Sequence, residues 1–401
     1  MKTILCLLCC LFPLLVTAHT PKEVAEGNNK FALSLFHRMQ GITANENQCW
    51  SPFSISTALA MVYAGARNET ALQMSRTLNF DPSETFHNDF RKLLKRVDEG
   101  TEGKIRLNIA NGLWAQRGFE FLDAYLALTH SGYGSELKNV DFTDNAAREK
   151  TRIDINTWVE RKTNDRIKDL LGRGDLNSMT RLVLVNAIYF YGDWAEPFKK
   201  ESTRPDEFSL TDGTLITVPF MNRQDRYGYY EDPEIQAIEI PYRGNRASMV
   251  IFLPKKNKPM KAFADSFDFN HYGEMMDSMK FTDVRLSLPK FRVDFKLDLS
   301  GTLSAMGMPL AFSQEGADFS GMTGKRDLFI SNVIHQAFVS VDEKGTEAAA
   351  ATAVTMCMMA APDKVRPVVF NADHPFVFLI RDNETGSILF MGKIMKPVTP
   401  E

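Results

Sequence analysis

The 401-residue chain predicts an α+β fold built as one large domain. Three observations carry this expectation. Apolar residues recur at helical spacing through most of the first half. From residue 182 onward, apolar runs of strand length dominate, without the regular helix–strand alternation of a doubly wound α/β fold. No Pro/Gly/Ser-rich linker, low-complexity block or internal repeat divides the chain, although its length alone would allow two or three domains. Composition agrees, because 44% hydrophobic and 24% charged residues is ordinary for a globular protein. The net charge of −3 gives no global pull towards nucleic acid or an anionic membrane.

Residues 1–18 read as a secretory signal. Lys2 supplies the positive start, Ile4 to Val16 an apolar core, and Val16-Thr17-Ala18 a cleavage site. The apolar core is shorter than the roughly 20 residues a membrane-spanning helix needs; a single anchoring helix is the alternative for this stretch. The expected mature chain is then 19–401, secreted and extracellular, one domain and a monomer. Asn68-Glu69-Thr70 and Asn383-Glu384-Thr385 are N-glycosylation acceptors in an exported protein. Of the five cysteines, Cys6, Cys9 and Cys10 leave with the signal, and their C-x-x-C spacing is discounted for that reason. Cys49 and Cys357 remain, with no internal bridge expected, so a large apolar core must hold the chain together.

Helices are expected at Asn28 to Met39, at Ser54 to Ala64 after the Ser51-Pro52 start signal, at Ser83 to Val97, and at Ile153 to Leu171 with Trp158 and Ile167. The third places Phe86, Phe90, Leu93, Leu94 and Val97 on one side. Strands are expected at Leu182 to Tyr191, an apolar run suited to burial on both faces, and at Met249 to Leu253, Val284 to Leu288, Phe291 to Phe295, Leu328 to Ile330, Ala337 to Val341, Phe376 to Ile380 and Ser387 to Ile394.

The most informative stretch runs from Glu343 to Val354: Glu-Lys-Gly-Thr-Glu-Ala-Ala-Ala-Ala-Thr-Ala-Val. Its alanines are strong helix formers, and composition alone favours a helix here. The same residues also read as a strand in waiting. Gly345 lacks the Cβ that restricts φ and can act as a hinge. Beyond it Thr346, Ala348, Ala350 and Thr352 fall at period two, so a strand would carry four small uncharged side chains on one face.

The chain resembles the serpin family from about Asn28 to Pro397. The run Phe370-Asn371-Ala372-Asp373-His374-Pro375-Phe376-Val377-Phe378-Leu379-Ile380 fits the family's C-terminal signature, and Asn186 to Trp194 resembles its central strand with the Trp at its top. Ser51-Pro52-Phe53-Ser54-Ile55, Leu288-Pro289-Lys290-Phe291 and Asn332 to Phe338 resemble further elements in the correct order. The resemblance implies three β-sheets, about nine helices and an exposed reactive-centre loop at about 343–362. It implies that a protease cleaves this loop, which then inserts into the central sheet as a new strand with the protease still attached. Gly345, Thr346, Glu347, Ala348, Ala349, Ala350, Ala351 and Thr352 would form the hinge. The family's spacing places the cleaved bond at Met359-Ala360, with Met358-Met359 the second choice. Met suits an apolar primary pocket and not an acidic one built for Arg or Lys. The expected partners are elastase-like or chymotrypsin-like serine proteases, held as covalent complexes.

By the same resemblance Ser51, Ser54, Asn186 and His335 meet as a polar cluster under the central sheet, where it must open, with Trp194 belonging to that opening region. Glu343 and Lys290 are expected to pair near the top of the sheet, as a surface pair worth only about 0–1 kcal/mol. Met356, Met358 and Met359 would make the loop open to oxidation, and Cys357 would be an exposed thiol or an incidental small apolar residue. Arg91, Lys92, Lys95 and Arg96 lie on the helix that binds heparin in some family members; weak glycosaminoglycan binding or a plain solvated face are the two readings. No nucleophile elbow, H-E-x-x-H, phosphate-binding Gly loop or metal spacing is found, so catalysis, metals and cofactors are not expected. A non-inhibitory serpin acting as a carrier is the alternative function.

Overall fold

The computed structural model describes residues 19–42, 45–99, 105–256, 258–346 and 366–400. The expected reactive bond Met359-Ala360, Cys357, the expected hinge residues Glu347 to Thr352 and the stretch 1–18 read as a signal all lie outside these ranges.

The chain enters through the helix Pro21–Gln40, started by a capping box in which Thr20 accepts from the Glu23 amide and Glu23 reaches back to the Thr20 amide. The helix Pro52–Tyr63 follows the short strand Gln48–Trp50 and is capped by Ser51. Nearly all of its side chains are buried, and it packs against both the Leu182–Asp193 and the Ile388–Ile394 strands. That position explains its continuous apolar character, since a helix covered on every side has no face left for charge. The Phe86–Glu99 helix buries Phe86, Phe90, Leu93 and Val97, as its spacing predicts.

Among the described residues the strands form two hydrogen-bonded sheets. The six-stranded sheet runs, edge to edge, Phe291–Asp298, Asn332–Val341, Gly345–Thr346, Leu182–Asp193, Ile105–Gln116 and Glu136–Val140. Below the two-residue strand, Asn332–Phe338 pairs directly and in parallel with Val183–Tyr189. The nine-stranded sheet runs from Gln48–Trp50 through Ile388–Ile394, Phe376–Asp382, Ala247–Pro254, Ile235–Pro241, Leu215–Glu231 and Lys280–Pro289 to Val368–Asn371, with Arg204–Ser209 pairing off Leu215–Glu231. It joins two of the three expected sheets, because the long Leu215–Glu231 strand pairs along most of its length with Lys280–Pro289 and at its end with Ile235–Pro241. Ten α-helices are present among the described residues, against the nine or so expected.

Three local expectations are corrected. The helix expected at Ile153 to Leu171 is Asn145–Lys162. It stops where Asn164, Asp165 and Asp169 take positive φ of 51°, 59° and 51°, a region that Asn and Asp tolerate better than other side chains. Ile167, Leu170 and Leu171 stay buried against the Trp158 cluster, so the apolar spacing continued after the helix had ended. Leu328 and Ile330 are buried, but the segment is not a strand; the Ile330 amide donates to the Ala311 carbonyl instead of to a ladder. The strand Ile105–Gln116 was hidden in a half of the chain that reads as helical, because Asn108, Asn111 and Gly112 interrupt its apolar alternation. Gly112 is required there, since a Cβ would lie 2.6 Å from the Trp114 ring, which packs edge-on against Trp158 at 5.0 Å.

Candidate functional site

Two groups of residues lie along the seam between Leu182–Asp193 and Asn332–Val341. The lower group begins with paired residues, since His335 sits opposite Asn186 in the parallel ladder. The Ser51 amide donates to His335 Nε2 at 3.1 Å, which assigns the proton to Nδ1, the nitrogen facing Asn186 Oδ1. The Asn186 amide then donates to Ser54 Oγ at 2.6 Å, to the Ser54 carbonyl at 3.2 Å, and to Asn111 Oδ1. Ser51 Oγ accepts from the Ser54 amide at 3.0 Å and donates to the Leu389 carbonyl at 2.5 Å. The chain therefore ties the seam to the buried helix and to the second sheet. His335 is wholly buried, and burial holds its pKa down to about 3 against the single supporting bond from Asn186. A neutral imidazole with both nitrogens bonded holds the seam together and is not a base aimed at solvent.

Trp194 is not part of this cluster. It lies at the top of the seam, stacked on Tyr242 with ring centroids 4.7 Å apart and 10° between planes. Its indole nitrogen donates to the Asp342 carbonyl at 3.0 Å and its amide to the Lys344 carbonyl at 2.8 Å. Around it the segment 341–346 turns back on itself. Asp342 Oδ1 accepts the Lys344 amide at 2.8 Å, and the Asp342 amide donates to the Gly345 carbonyl at 2.9 Å. Gly345 then faces Asp193, and Thr346 lies between Gly192 on one side and Val341 on the other. Gly345 and Thr346, the first two residues of the expected hinge, are thus strand, lying antiparallel between the two strands of the seam.

The fit is close. A Cβ on Gly345 would lie 2.1 Å from the Gly192 carbonyl oxygen and 2.7 Å from the Asp193 Cα, so only glycine lets the backbones approach. Thr346 is fully buried, and its Oγ1 hydrogen-bonds the Tyr242 hydroxyl at 2.7 Å. Burial keeps that tyrosine protonated, pushing its pKa far up.

Glu343 and Lys290 pair at 3.0 Å, but not as a surface pair: the Glu343 side chain is 8% exposed. Thr203 Oγ1 donates to its other oxygen at 2.9 Å. Burial alone would raise the Glu343 pKa, yet the bonds from Lys290, the local backbone and Thr203 hold it below the usual carboxylate range. Removing either partner would strand a largely buried charge, which costs more than the surface value allows.

Tyr242, Asn111 and Thr203 were not among the residues singled out from sequence. Asn111 carried a signal, an amide side chain inside a buried strand. Tyr242 and Thr203 carried none, because each meets the hinge segment from more than 100 residues away along the chain.

The other candidates sit elsewhere. Asn68 is exposed, at the start of the Asn68–Leu78 helix with φ of 52°, and its amide donates to Asp318 at 2.8 Å. Asn383 gives its amide to the Asn245 carbonyl and Ser248 hydroxyl, while Thr385, the third residue of that acceptor triplet, is buried. On the basic helix, Arg91 meets Asn88, Lys92 meets Asp89, Lys95 meets Glu99, and Arg96 meets Glu99 and Glu384. Each cation already has a partner, which favours the solvated face over a ready polyanion site. Cys49 is wholly buried and its thiol pKa is pushed well up by burial, so it is inert. Among the described residues no three His, Cys, Asp or Glu side chains gather as a metal site, and no helix is long and apolar enough to cross a membrane.

The chain is similar to known proteins over most of its length. The chain is 39% identical over 386 residues to the human leukocyte elastase inhibitor, covering 94% of this chain and all of that one. It is 41% identical to a serpin-like protein of Thermococcus kodakarensis, over 94% of this chain and 86% of the other. The solved structure of Serpin48 from the insect Tenebrio molitor, described as highly specific, superposes with a TM-score of 0.84 at 29% identity, covering 94% of this chain and 99% of that one. The family model described as serpin, a serine protease inhibitor, matches residues 26–397, and the chain belongs to the serpin family.

Proposed function

We propose that the chain inhibits elastase-like or chymotrypsin-like serine proteases as a suicide substrate, cleaved at Met359-Ala360. The observation that carries this reading is the seat of Gly345 and Thr346. Gly345 and Thr346 start a strand at the top of the sheet, with Thr346 buried and uncharged, and Ala348, Ala350 and Thr352, which follow Thr346 at period two in the sequence, are small and uncharged. Continuing the strand downward requires only that the parallel pairing of Asn332–Phe338 with Val183–Tyr189 open. Insertion of about fourteen residues replaces that single set of bonds by two, a net gain on the order of 10 kcal/mol at about 1 kcal/mol per bond. Such a gain is enough to drag and distort an attached protease. The His335–Asn186 pair lies across the opening line, so the cluster must be remade when the strand passes.

Met359 before Ala360 supports the apolar primary specificity, and the kinship with elastase inhibitors is in keeping with it. Secretion after removal of residues 1–18 and glycosylation at Asn68 and Asn383 belong to the same reading. The alternative, a non-inhibitory carrier, gains no support from the sequence, since the period-two positions Thr346, Ala348, Ala350 and Thr352 carry no bulky or charged residue.

The test mixes the purified chain with pancreatic elastase and with chymotrypsin, followed by denaturing gels and mass spectrometry. A denaturant-resistant complex with release of a peptide starting at Ala360 is expected. Cleavage without complex by both enzymes would overturn inhibition in favour of the carrier.

A further inference from the structure

We infer that hydrolysis of the Ala18–His19 bond creates a working amino terminus, whose His19 ammonium docks on the buried Asp89 carboxylate and pins the first helix to the Phe86–Glu99 helix. The inference rests on the reading of residues 1–18 as a cleaved signal, and goes beyond it.

The geometry is already set around that nitrogen. The His19 backbone nitrogen donates to Asp89 Oδ2 at 3.0 Å. Asp89 is buried, with a side chain 1% exposed, and its other oxygen takes Lys92 Nζ at 2.7 Å. The His19 imidazole reaches Asp81 through Nε2, and Glu23 lies 3.8 Å from its Nδ1. Thr20 caps the helix immediately afterwards through both bonds of the capping box, so position 19 is held in place and does not fray freely. The facing groups are therefore the carboxylates Glu23, Asp81 and Asp89, from three different segments, against Lys92 and the imidazole.

That balance leaves room for one more positive charge. In the uncut chain the nitrogen is a neutral amide. A signal peptidase uses one water: the C–N bond breaks, the hydroxyl stays on the Ala18 carbonyl as a carboxyl group, and the nitrogen takes the hydrogen. Below its ordinary pKa of about 8 the new amine takes one further proton from solvent. The existing 3.0 Å contact then becomes an N⁺–H···O⁻ bond, a charge-assisted pair of roughly twice the strength of a neutral one. A carboxylate at this distance raises the pKa of the amine. The stability so gained is present below pH 8 and is lost as pH rises through the raised value.

The experiment compares a chain beginning at His19, released from a removable fusion, with one beginning at Ala18, each with and without Asp89→Asn. Thermal midpoints are read at pH 7 and pH 10. The rate at which an amine-directed acylating reagent labels the terminus is read by mass spectrometry. At pH 7 the His19 chain is expected to melt about 1–3 °C higher than the Ala18 chain, with the gap closing at pH 10 and in Asp89→Asn. Its terminus is expected to acylate about tenfold more slowly. Equal midpoints together with equal acylation rates would overturn the docking, and the acylation arm stands even where Asp89→Asn fails to fold. Terminal sequencing of the full-length chain after export tests the cleavage reading separately. A start at His19 upholds it, and any other start removes the processing step while the docking result on the His19 chain stands by itself.

Discussion

Replacing Thr346 by arginine probes the hinge at the point where the structure leaves least freedom. Thr346 is fully buried, hydrogen-bonds Tyr242, and pairs with Gly192 and Val341. An arginine held there would bury an unpaired charge, at a cost of about 3–5 kcal/mol. Expelling residues 345 and 346 from the seam instead forfeits the Tyr242 bond and two or three backbone bonds, about 2–4 kcal/mol in all. The two costs are comparable, and expulsion also restores water to the guanidinium, so the hinge leaves the sheet and the rest of the fold persists. After cleavage there is no such escape, because insertion must pass the arginine through the same site. An obstacle of about 3–5 kcal/mol slows that step by roughly two to four orders of magnitude. Hydrolysis of the acyl-enzyme then wins. The assay is the stoichiometry of inhibition against elastase and chymotrypsin, read beside circular dichroism to confirm folding. Many molecules of folded variant consumed per protease, with cleaved product and no complex on denaturing gels, is the expected result. Unchanged stoichiometry would refute strand insertion as the source of inhibition.

Tyr242→Phe removes the hydroxyl that Thr346 Oγ1 bonds at 2.7 Å and leaves a buried polar atom unpaired, at a cost of about 1–3 kcal/mol; a lowered thermal midpoint with altered Trp194 fluorescence is expected, and an unchanged midpoint would count against the hinge contact. His335, held neutral to about pH 3 by burial, costs stability as pH falls below the unfolded value of about 6.5, because the unfolded chain then binds the extra proton. The stability gap between the parent and His335→Gln should therefore shrink by about 1.4 kcal/mol per pH unit from pH 6 to pH 4, and a gap independent of pH in denaturant titrations would argue against a neutral buried imidazole. Met359→Arg should transfer complex formation from elastase and chymotrypsin to trypsin, and full retention of elastase inhibition would place the cleaved bond elsewhere.

Much of this molecule could be read from one dimension. Apolar spacing located the Pro52–Tyr63 and Phe86–Glu99 helices and the central strand, because a buried face must repeat with the period of the element that carries it. Four polar residues of the seam, Ser51, Ser54, Asn186 and His335, were legible through family resemblance. Periodicity misled where burial outlasted the element, as at Ile167 to Leu171, and where polar residues interrupted a buried strand, as at Asn108 and Asn111.

What tertiary structure alone decided concerns partners. The pattern around Gly345 announced a flexible small-residue segment but left helix and strand open. For Gly345 and Thr346 the choice was made by the Gly192 carbonyl, which excludes any Cβ, and by a tyrosine 104 residues away. Glu343 looked like a surface acid until Lys290 and Thr203 closed over it. Trp194 separated from the polar cluster because strand length sets it at the other end of the seam. The physical reason is the same in each case. A sequence records which side chains prefer burial and which backbone conformations are permitted. The group that meets them across a sheet is fixed only when distant segments pack.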